Sequence, residues 1–373
     1  MKLLYDHKIF INQNYGGVPR YFFELMDYYY KTGVLKFEFP VVYSENEYLK
    51  NTEIAKSVRF FRKSGLLKIG EVRKNLRRLN NVLIKNALKS TKYDIFHPTY
   101  YESYYLDYLK NKKLVITIHD MVHEIFEDDF KNDTYNTAEY KKLLAYKADK
   151  IIAVSRNTKS DILKFYPDLP EGKIEVIYHG NSFERFNQNS TCNLTLPEKY
   201  ILFVGNRNLY KNFNLFLTSI AHLLKQDSEL KLFIIGSAGI SEEEKILFKQ
   251  LCVESSIIYH RAKEQELPYI YNKALCFVFP SLYEGFGFPI LEAFQCGCPV
   301  VASQTSSLPE VGQDCCEYFD PKNNESIFEK VELVVKDADL RKNMVNKGLK
   351  RAKDFDWKKT ALKTYDAYKS ILN

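Results

Sequence analysis

Long apolar runs are missing from the 373-residue sequence. No run approaches the roughly 20 apolar residues that a membrane-spanning helix needs. The first six residues read as a β-strand and lack the apolar core of a signal peptide. We therefore expect a cytoplasmic protein, whose association with a membrane, if any, is peripheral.

Cysteine is absent from the first half of the sequence. All seven cysteines lie in the second half, at Cys192, Cys252, Cys276, Cys296, Cys298, Cys315 and Cys316. An odd number fits reduced thiols in a cytosolic protein. The pair Cys296 and Cys298 has no matching Cys/His pair at zinc-finger spacing, so we predict no metal site there. The only acidic cluster that resembles a metal-binding triplet is Glu127, Asp128 and Asp129, which we expect at a helix start.

A dinucleotide-binding fingerprint is also absent, since no G-x-G-x-x-G follows a predicted strand. The length favours two domains of ordinary size, and a hydrophobic content of 45% supports a core in each. Apolar β-rich runs alternate with helical segments, which is typical of parallel α/β sheets. The runs fall at residues 2–5, 37–42, 93–97, 114–119, 150–154 and 174–178, and then at 200–204, 231–235, 257–260, 275–279 and 300–302.

A polar stretch from Asn181 to Lys199, rich in Asn, Ser and Thr, separates the two groups of strands. We therefore predict an α/β fold with two doubly wound, Rossmann-like parallel sheets that face each other across a ligand cleft. The predicted domains are residues 1–185 and 186–355. A C-terminal helix at residues 356–373 holds the only tryptophan.

The most informative segment is FPSLYEGFGFPILEA at residues 279–293. Two carboxylates, Glu284 and Glu292, bracket a glycine-rich turn that follows an apolar strand and opens a helix, in which Pro289 suits the first position. Free N–H groups and the positive end of the helix dipole make such a turn an anion site. The donors would be the backbone groups around Phe286, Gly287 and Phe288. Because carboxylates pair naturally with sugar hydroxyls, the segment predicts a ligand with both phosphate and sugar, such as a nucleotide-sugar.

Two cations follow the first strand of the second half, in the segment VGNRNLYKN at residues 204–212. After Gly205, Arg207 and Lys211 lie on a loop at the strand's carboxyl end, where ligand crevices of α/β proteins form. Arg as a planar fork and Lys as a point charge fit a diphosphate. The alternative is a solvated basic loop without a ligand.

These motifs give the sequence a family resemblance. Glu284 and Glu292 match the E-x7-E motif of the retaining glycosyltransferases of family 4, and the run from Gly297 to Val300 matches the G-x-P-V that follows it. The resemblance implies the GT-B fold, a nucleotide-diphosphate sugar as donor, and a final helix that crosses back to the first domain. It also implies that Glu284 binds hydroxyls of the transferred sugar, that Glu292 binds the ribose, and that no essential metal or other cofactor is needed.

The resemblance extends to the first half of the chain. Gly16 and Gly17 follow the first strand, and similar glycine loops in the family face the donor phosphates and the acceptor. A histidine that contacts the transferred sugar corresponds to His119, which ends an apolar strand. Its neighbour Asp120 would orient the imidazole or meet the acceptor. His97, at another strand end, is a poorer candidate for the same role.

Three further residues complete the candidate site. Tyr100 and Tyr101 belong to a tyrosine cluster that would line an acceptor groove, because aromatic rings stack on sugar faces; the alternative is ordinary packing. Arg261 lies where family members surround the nucleotide base. Ser155 is interpreted as a helix cap.

A basic segment stands out in the charge pattern. Between Lys56 and Lys92, twelve basic residues face a single acidic one, Glu71, and apolar residues interleave at roughly helical spacing. An anionic membrane is the partner we favour, at roughly 1 kcal/mol per basic residue near the lipid. A solvated helix pair is the alternative. Nucleic acid is not expected, since no recognised binding module is present.

The sequence thus predicts a retaining hexosyltransferase that moves a sugar from a nucleotide-diphosphate sugar to a glycan or lipid-linked oligosaccharide acceptor. The segments TIHDMVHE and VGNRNLYKNF are similar to those of bacterial mannosyltransferases of O-antigen and capsule assembly, which implies mannose and surface polysaccharide biosynthesis. Two alternatives stay open. One is a non-catalytic glycan-binding module of the same fold, and the other is a phosphorylase-like enzyme with pyridoxal phosphate on a lysine.

Overall fold

The computed structural model describes residues 1–50, 52–55, 60–61, 70–90, 92–131, 133–181, 183, 194–207 and 209–372. The chain divides into two compact units. The first contains Met1–Gly180 and Asp356–Asn373, and the second contains Asn181–Phe355. The division therefore follows Gly180 rather than residue 185. Each unit has its own six-stranded parallel sheet, so the predicted α/β fold class is confirmed.

The first unit alternates strands and helices. Its elements in chain order are β1 (Lys2–Tyr5), α1 (Lys8–Asn12), α2 (Gly17–Thr32), β2 (Lys36–Glu38), β3 (Tyr43–Ser44), β4 (Phe60–Phe61), α3 (Gly70–Lys89), β5 (Ile95–His97), α4 (Leu106–Leu109), β6 (Lys113–Ile118), α5 (Val122–Ile125), α6 (Thr137–Lys147), β7 (Lys150–Ala153), α7 (Arg156–Phe165) and β8 (Ile174–Val176). The strand order is β2-β1-β5-β6-β7-β8, with every pair parallel. β3 and β4 form a separate parallel pair.

The second unit repeats this plan. Its elements are β9 (Lys199–Val204), α8 (Phe213–Gln226), β10 (Leu230–Ile235), α9 (Glu242–Gln250), β11 (Ile257–His260), α10 (Leu267–Lys273), β12 (Cys276–Phe279), α11 (Phe288–Gln295), β13 (Val300–Ser303), α12 (Leu308–Gly312), β14 (Cys316–Phe319), α13 (Asn324–Lys336) and α14 (Ala338–Ala352). The strand order is β11-β10-β9-β12-β13-β14. Phe216, Leu232 and Ile234 are fully buried in its core between sheet and helices.

The order of strands locates one special position in each sheet. The chain winds outward from β9 to β11 and then returns to place β12 on the other side of β9. In the first sheet the corresponding reversal lies between β1 and β5. Ligand crevices of doubly wound sheets form at the carboxyl ends of the strands that flank such a reversal. The loops after β9, β12, β1 and β5 are therefore where a site is expected.

Two strand predictions need correction. The predicted strand at residues 37–42 ends at Glu38, because Pro40 lacks the N–H group that a further ladder bond requires. The edge strand β14 was not predicted, although it pairs with β13 over four residues. Its two middle residues are only half-buried, and the strand therefore gives a weaker apolar signal than the central strands have.

The terminal helix α15 (Trp357–Lys369) packs within the first unit. The Tyr29 hydroxyl donates to the Ala361 carbonyl at 2.8 Å, and the Thr360 hydroxyl donates to the Tyr178 carbonyl at 2.7 Å. A Cβ atom at Gly180 would lie 2.4 Å from the Trp357 backbone nitrogen, so only glycine fits there. Of the helices that the structure describes, none is long and apolar enough to cross a membrane.

Candidate functional site

A cation and a carboxylate meet at the reversal point of the second sheet. Lys211 ends a short 3-10 turn after β9, and Glu284 lies on the loop after β12. Lys211 Nζ is 2.5 Å from Glu284 Oε1, and the two side chains are 18% and 16% exposed. The ammonium group also lies 5.7 Å from the centre of the Phe279 ring. Two residues that are 73 positions apart in sequence are thus in direct contact, next to an apolar surface that strengthens their attraction.

The loop that carries Glu284 is held by two serines from the loop after β13. The Glu284 N–H group donates to Ser306 Oγ at 3.0 Å. The hydroxyl of Ser307, which is fully buried, lies 2.9 Å from the carbonyl oxygens of both Glu284 and Phe286 and donates to them. Sequence reasoning gave these serines no such role. The only available signal was their position directly after a buried strand.

The helix α11 begins where the motif predicted. Gly287 precedes it with a φ of 106°, a left-handed conformation that favours glycine, and Pro289 lies in the first turn. Glu292 lies one turn further on, and its Oε2 accepts a hydrogen bond from the Tyr271 hydroxyl at 3.3 Å. Burial and the neighbouring Glu292 raise the pKa of Tyr271, so this phenol stays a donor. The side chains of Phe286 and Phe288 pack edge to face at 5.5 Å, and Gly297 follows the helix with a φ of 68°.

Arg207 has a different partner from Lys211. Its guanidinium forms a two-pronged ion pair with Glu244, through Nε and through Nη2 at 3.1 Å. Nη2 also donates to the carbonyls of Ala238 at 3.1 Å and Gly239 at 2.7 Å. The Arg207 side chain is only 5% exposed, and a Cβ atom at Gly236 would come within 3.0 Å of Nη1. Arg207 is therefore fixed in place by the loop after β10.

Glu244 was missed by sequence reasoning. It is the third residue of α9 and forms a capping box with Ser241, whose side chain accepts from the Glu244 N–H group. The signal was present, since Ser followed by Glu three positions later is typical of a helix start. Nothing in that pattern indicated that the same carboxylate would hold Arg207.

The other two donor-site candidates of the second unit, Gly205 and Arg261, lie outside the ion pairs that Lys211 and Arg207 form. Gly205 has a φ of 135° and its N–H group donates to the Ile235 carbonyl at 2.9 Å, which turns the chain at the end of β9. Arg261 follows β11 and is exposed to solvent. The residue before it is His260, whose ring lies 3.0 Å from the Glu266 carboxylate. That carboxylate also accepts a hydrogen bond from a backbone N–H group and so fixes this loop.

In the first unit His119 directly follows β6 and lies in an aromatic cluster. Its ring stacks on His179 with centroids 5.7 Å apart and meets the edge of Tyr21 at 5.3 Å. Burial lowers the pKa of His119 to about 4, with Asp120 opposing and Lys141 adding to the shift. The imidazole is therefore neutral near pH 7. Its Nε2 is buried without a hydrogen-bond partner in the part of the chain that the structure describes.

A buried lysine positions the loop after His119. Lys141 on α6 is 1% exposed, and its Nζ donates to the Asp120 carbonyl at 2.9 Å and to Glu124 Oε2 at 2.8 Å. The Tyr166 hydroxyl donates to the other oxygen of Glu124 at 2.8 Å. Asp120 itself accepts from the Val122 N–H group at 3.2 Å and is 39% exposed. Sequence reasoning missed Lys141, because a lone lysine in a helical segment reads as a surface residue.

The two tyrosines of the predicted acceptor groove differ. Tyr101 is buried, with its hydroxyl donating to the Thr117 carbonyl and accepting from the His119 N–H group, both at 3.1 Å. Its contribution is to hold the backbone of His119. Tyr100 is half-buried and lines a cavity of about 270 Å³ together with Gln13 and Arg77. His97 is fully buried between Tyr368 and Thr117 at 2.7 and 3.0 Å, so its role is structural.

The remaining predictions are placed as follows. Gly16 precedes α2 with a φ of 148°, and a Cβ atom there would come within 2.6 Å of the Gln13 side chain; Gly17 is the first helical residue. The Ser155 hydroxyl accepts from the Thr158 N–H group, which confirms it as a helix cap. Glu127, Asp128 and Asp129 lie in a 3-10 turn. Within the described residues no group of three acidic, His or Cys side chains is arranged to hold a metal.

The predicted basic segment is described only in part, because residues 56–59, 62–69 and 91 lie outside the described residues. The part that is described forms α3, which docks through Asn80: its side chain accepts from the N–H groups of Val42 and Tyr43. The basic side chains on the solvent side of this helix are Lys74, Arg77, Arg78, Lys85 and Lys89. Together they form an exposed positive face.

Comparison with known proteins identifies the family of both units. A model described as Glycosyltransferase Family 4 matches residues 15–185, and one described as Glycosyl transferases group 1 matches residues 187–351. Together these matches cover most of the chain, and they meet close to the division between the two units.

Named relatives agree with these models. The chain is 29% identical over 284 residues to O-antigen chain mannosyltransferase B of Escherichia coli, covering 74% of this chain and 66% of the relative. It is 31% identical over 233 residues to N-acetylgalactosamine-N,N'-diacetylbacillosaminyl-diphospho-undecaprenol 4-alpha-N-acetylgalactosaminyltransferase of Campylobacter jejuni, covering 62% of each. The matches thus span slightly less than two thirds of either relative's length.

A solved structure extends the likeness to the whole chain. Sucrose-phosphate synthase from Thermosynechococcus elongatus superposes with a TM-score of 0.76, covering 100% of this chain and 98% of its own, at 18% sequence identity. At that identity the likeness concerns the fold. The chain, with one parallel-sheet unit in each half, therefore has the GT-B fold.

Proposed function

The chain belongs to glycosyltransferase family 4, and from this premise we propose that it is a retaining hexosyltransferase, with a nucleotide-diphosphate sugar as donor and a glycan or lipid-linked oligosaccharide as acceptor. The observation that carries the proposal is the contact between Lys211 and Glu284 at the reversal point of the second sheet. At this point a cation suited to a diphosphate lies next to a carboxylate suited to a sugar. A nucleotide-sugar offers the two groups in the same order.

The main chemical task is to stabilise the departing diphosphate. Negative charge grows on it as the bond to the sugar breaks, and fixed cations and N–H groups are the strongest means of stabilising that charge. Lys211 is in contact with Glu284, and its ammonium group brings a positive charge to the place where the phosphate oxygens would lie. The backbone N–H groups at the start of α11, around Phe286 and Phe288, add the helix dipole. Arg207 contributes from a position that Glu244 fixes.

The sugar and the ribose would be held by carboxylates and one imidazole. Glu284 accepts from hydroxyls of the transferred hexose, and Glu292 accepts from those of the ribose. A neutral His119 donates to a sugar oxygen, which the lowered pKa of this residue favours. The acceptor attacks from the face that the diphosphate leaves, and a phosphate oxygen takes the acceptor's proton. This front-face route gives retention without a protein nucleophile and without a required metal.

The acceptor is inferred from the names of two relatives, and the location is inferred from the positive charge of α3. One relative's name specifies mannosyl transfer to O-antigen, and another's specifies a diphospho-undecaprenol acceptor. We extend this to a mannosyl donor and a lipid-linked acceptor in surface polysaccharide biosynthesis. The exposed positive face of α3 supports peripheral binding to the cytoplasmic side of an anionic membrane.

The experiment that tests the proposal is a transfer assay with a defined stereochemical readout. The protein is incubated with GDP-, UDP- and ADP-linked hexoses and short mannose glycosides, and NMR gives the anomeric configuration of the product. Transfer with the donor's configuration supports the proposal. An inverted product would rule out the retaining mechanism, and free inorganic phosphate as co-substrate would indicate a phosphorylase.

A further inference from the structure

The carboxylate of Glu292 on α11 is in contact with a buried phenol from the neighbouring helix α10. The Tyr271 hydroxyl donates to Glu292 Oε2 at 3.3 Å. Tyr271 is fully buried, whereas Glu292 is only half-buried, so the phenol is the more firmly fixed member of the pair. Burial raises the pKa of Tyr271, and the charge of Glu292 adds to the shift, so the phenol stays protonated and can only donate to the carboxylate. Sequence reasoning gave Tyr271 no role.

The position of the Tyr271 ring is set by two neighbouring elements. The ring packs edge to face on Phe277 of β12, with centroids 5.5 Å apart and an angle of 83° between the planes. The next residue, Asn272, donates through Nδ2 to the Cys296 carbonyl at 2.9 Å, which ties the end of α10 to the end of α11. β12 precedes the loop that carries Glu284, and α11 follows that loop. Tyr271 is thus held by the two elements that also support the candidate donor site.

A fixed donor matters here because a glutamate side chain is flexible. Its rotatable bonds allow several rotamers while it is partly exposed, and a ligand that requires one of them pays for the loss of the others. A ribose presents two neighbouring hydroxyls, and a carboxylate accepts from both only in a narrow range of orientations. A hydrogen bond that holds one carboxylate oxygen reduces the number of rotamers before the ligand arrives, and this lowers the cost of binding. Tyr271 can therefore affect the nucleotide through Glu292 alone.

We propose that Tyr271 is a positioning residue that orients Glu292 toward the ribose, and that it thereby strengthens the preference of the site for ribonucleotide donors over their deoxy analogues. The contact of Glu292 with the ribose rests on the proposed function, while the role of Tyr271 is additional to it. The Tyr271 contact is longer than the distance of about 2.7 Å that is typical of hydrogen bonds between two oxygens. The expected effect is therefore several-fold and not a loss of binding.

Calorimetry with ribonucleotides and their 2′,3′-dideoxy analogues tests the proposal, with GDP, UDP, ADP and the three dideoxy forms as probes. The measured quantity is the dissociation constant of the dideoxy form divided by that of the ribo form, in the series that binds most tightly. For the wild type this ratio should be about 50 or more, because the dideoxy form lacks the hydrogen bonds to a carboxylate. Tyr271→Phe keeps the ring and should lower the ratio about fivefold, by weakening the ribo form alone.

The matched control is Tyr200→Phe, which also removes one buried hydroxyl from the second unit. The Tyr200 hydroxyl donates to the Ile270 carbonyl at 2.6 Å, so this variant loses a hydrogen bond to the backbone of α10 but keeps the contact between Tyr271 and Glu292. It should lower the melting temperature and leave the ratio unchanged. A wild-type ratio in Tyr271→Phe, or an equal fall of the ratio in Tyr200→Phe, would overturn the proposal.

The variant Glu292→Ala separates a failure of this inference from a failure of the proposed function. It should lower the ratio strongly, and Tyr271→Phe added to it should cause little further change, because both substitutions remove the same contact. If Glu292→Ala lowers the ratio but Tyr271→Phe does not, the positioning role is wrong and the ribose contact stands. If Glu292→Ala keeps the wild-type ratio, or no nucleotide binds to the wild type, the proposed ribose contact and the role of Tyr271 are both wrong.

Discussion

The two units place opposite chemistry at equivalent edges of their sheets. In the first unit the strand ends carry buried, neutral histidines: His7, His97 and His179 are almost inaccessible, and burial lowers the pKa of each. In the second unit the corresponding residues are charged pairs, Lys211 with Glu284 and Arg207 with Glu244. Its two histidines, His222 and His260, are not buried. The same fold thus carries neutral histidines at the strand ends of one sheet and ion pairs at those of the other.

This difference in charge decides which ligand suits the edge of each sheet. The ion pairs of the second unit hold cations in place at the edge of its sheet, so an anion that arrives there meets a positive charge. A buried neutral histidine cannot accept a charge without losing its burial. The second edge is therefore suited to a diphosphate, whereas His119 in the first is suited to an uncharged sugar oxygen.

The largest effect that we expect is that acid destabilises the first unit more than the second. His7 and His97 are protonated with a pKa near 6.5 in the unfolded chain but have a pKa of about 3 when folded, so the unfolded state binds more protons below pH 6.5. The contribution of these two histidines to the free energy of unfolding is complete above pH 6.5 and is lost as the pH falls toward 3. By pH 4.5 the two together should cost the first unit about 5 kcal/mol. Buried Asp6, with a raised pKa, offsets part of this loss.

Thermal unfolding at pH 7.0 and pH 4.5 checks this expectation. Fragments released by limited proteolysis identify which unit opens first. The second unit is the internal control, because it has no buried histidine. If both units lose stability in parallel, the contrast between a neutral and a charged edge does not hold.

Removal of the lysine at the charged edge is expected to have the next largest effect. Lys211→Ala should reduce the transfer rate by about 1,000-fold, equivalent to about 4 kcal/mol of transition-state stabilisation, with the fold retained. The control Lys245→Ala removes an exposed lysine of the same unit that pairs with Glu242. Steady-state rates measure the difference. Transfer near the wild-type rate in Lys211→Ala would sink the assignment of this contact.

Loss of the buried lysine of the first unit should cost about 3 kcal/mol of unfolding free energy, because Lys141→Met leaves Glu124 buried without its cation. Chemical denaturation gives the value. The double variant Lys141→Met with Glu124→Gln should recover part of it, since no uncompensated charge then remains. If the double variant is no more stable than the single one, the ion pair is not the source of the loss.

The smallest expected effect concerns the arginine's partner. Glu244→Ala should raise the donor KM about tenfold, since Arg207 loses the carboxylate that positions it, and should also remove the capping box of α9. Ser241→Ala removes the cap and leaves the ion pair in place. It should lower the melting temperature without a change in KM. A similar KM for the two variants would show that Glu244 acts only as a cap.

The second unit was more accessible to prediction than the first. Glu284, Glu292, Pro289 and Gly297 occupy one continuous motif, and local rules for strand ends, helix starts and left-handed glycines locate them. The sequence also indicated that Lys211 follows a neighbouring strand. What it could not indicate is that Glu244 holds Arg207 and that Ser306 holds the Glu284 backbone, because both residues come from other elements and meet the site only in three dimensions.

The first unit shows the limit more clearly. The strand that precedes His119 was predicted. The burial that lowers the pKa of His119, however, involves rings from α2 and from the chain near residue 179, which no local pattern connects. Lys141 reads as a surface residue in sequence and is buried in the fold. Tyr100 and Tyr101 are adjacent and identical in type, yet one lines a cavity and the other supports the backbone of His119.

The most direct test of the central claim is a thermal-shift comparison of wild-type protein and Lys211→Ala with GDP, UDP, ADP and their common sugar conjugates, without added metal. A ligand well above its dissociation constant stabilises the folded state by about 2–4 kcal/mol. The account predicts that one nucleotide series raises the melting temperature of the wild type by several degrees and that Lys211→Ala loses most of the shift. No shift with any nucleotide, or equal shifts in both proteins, would contradict it.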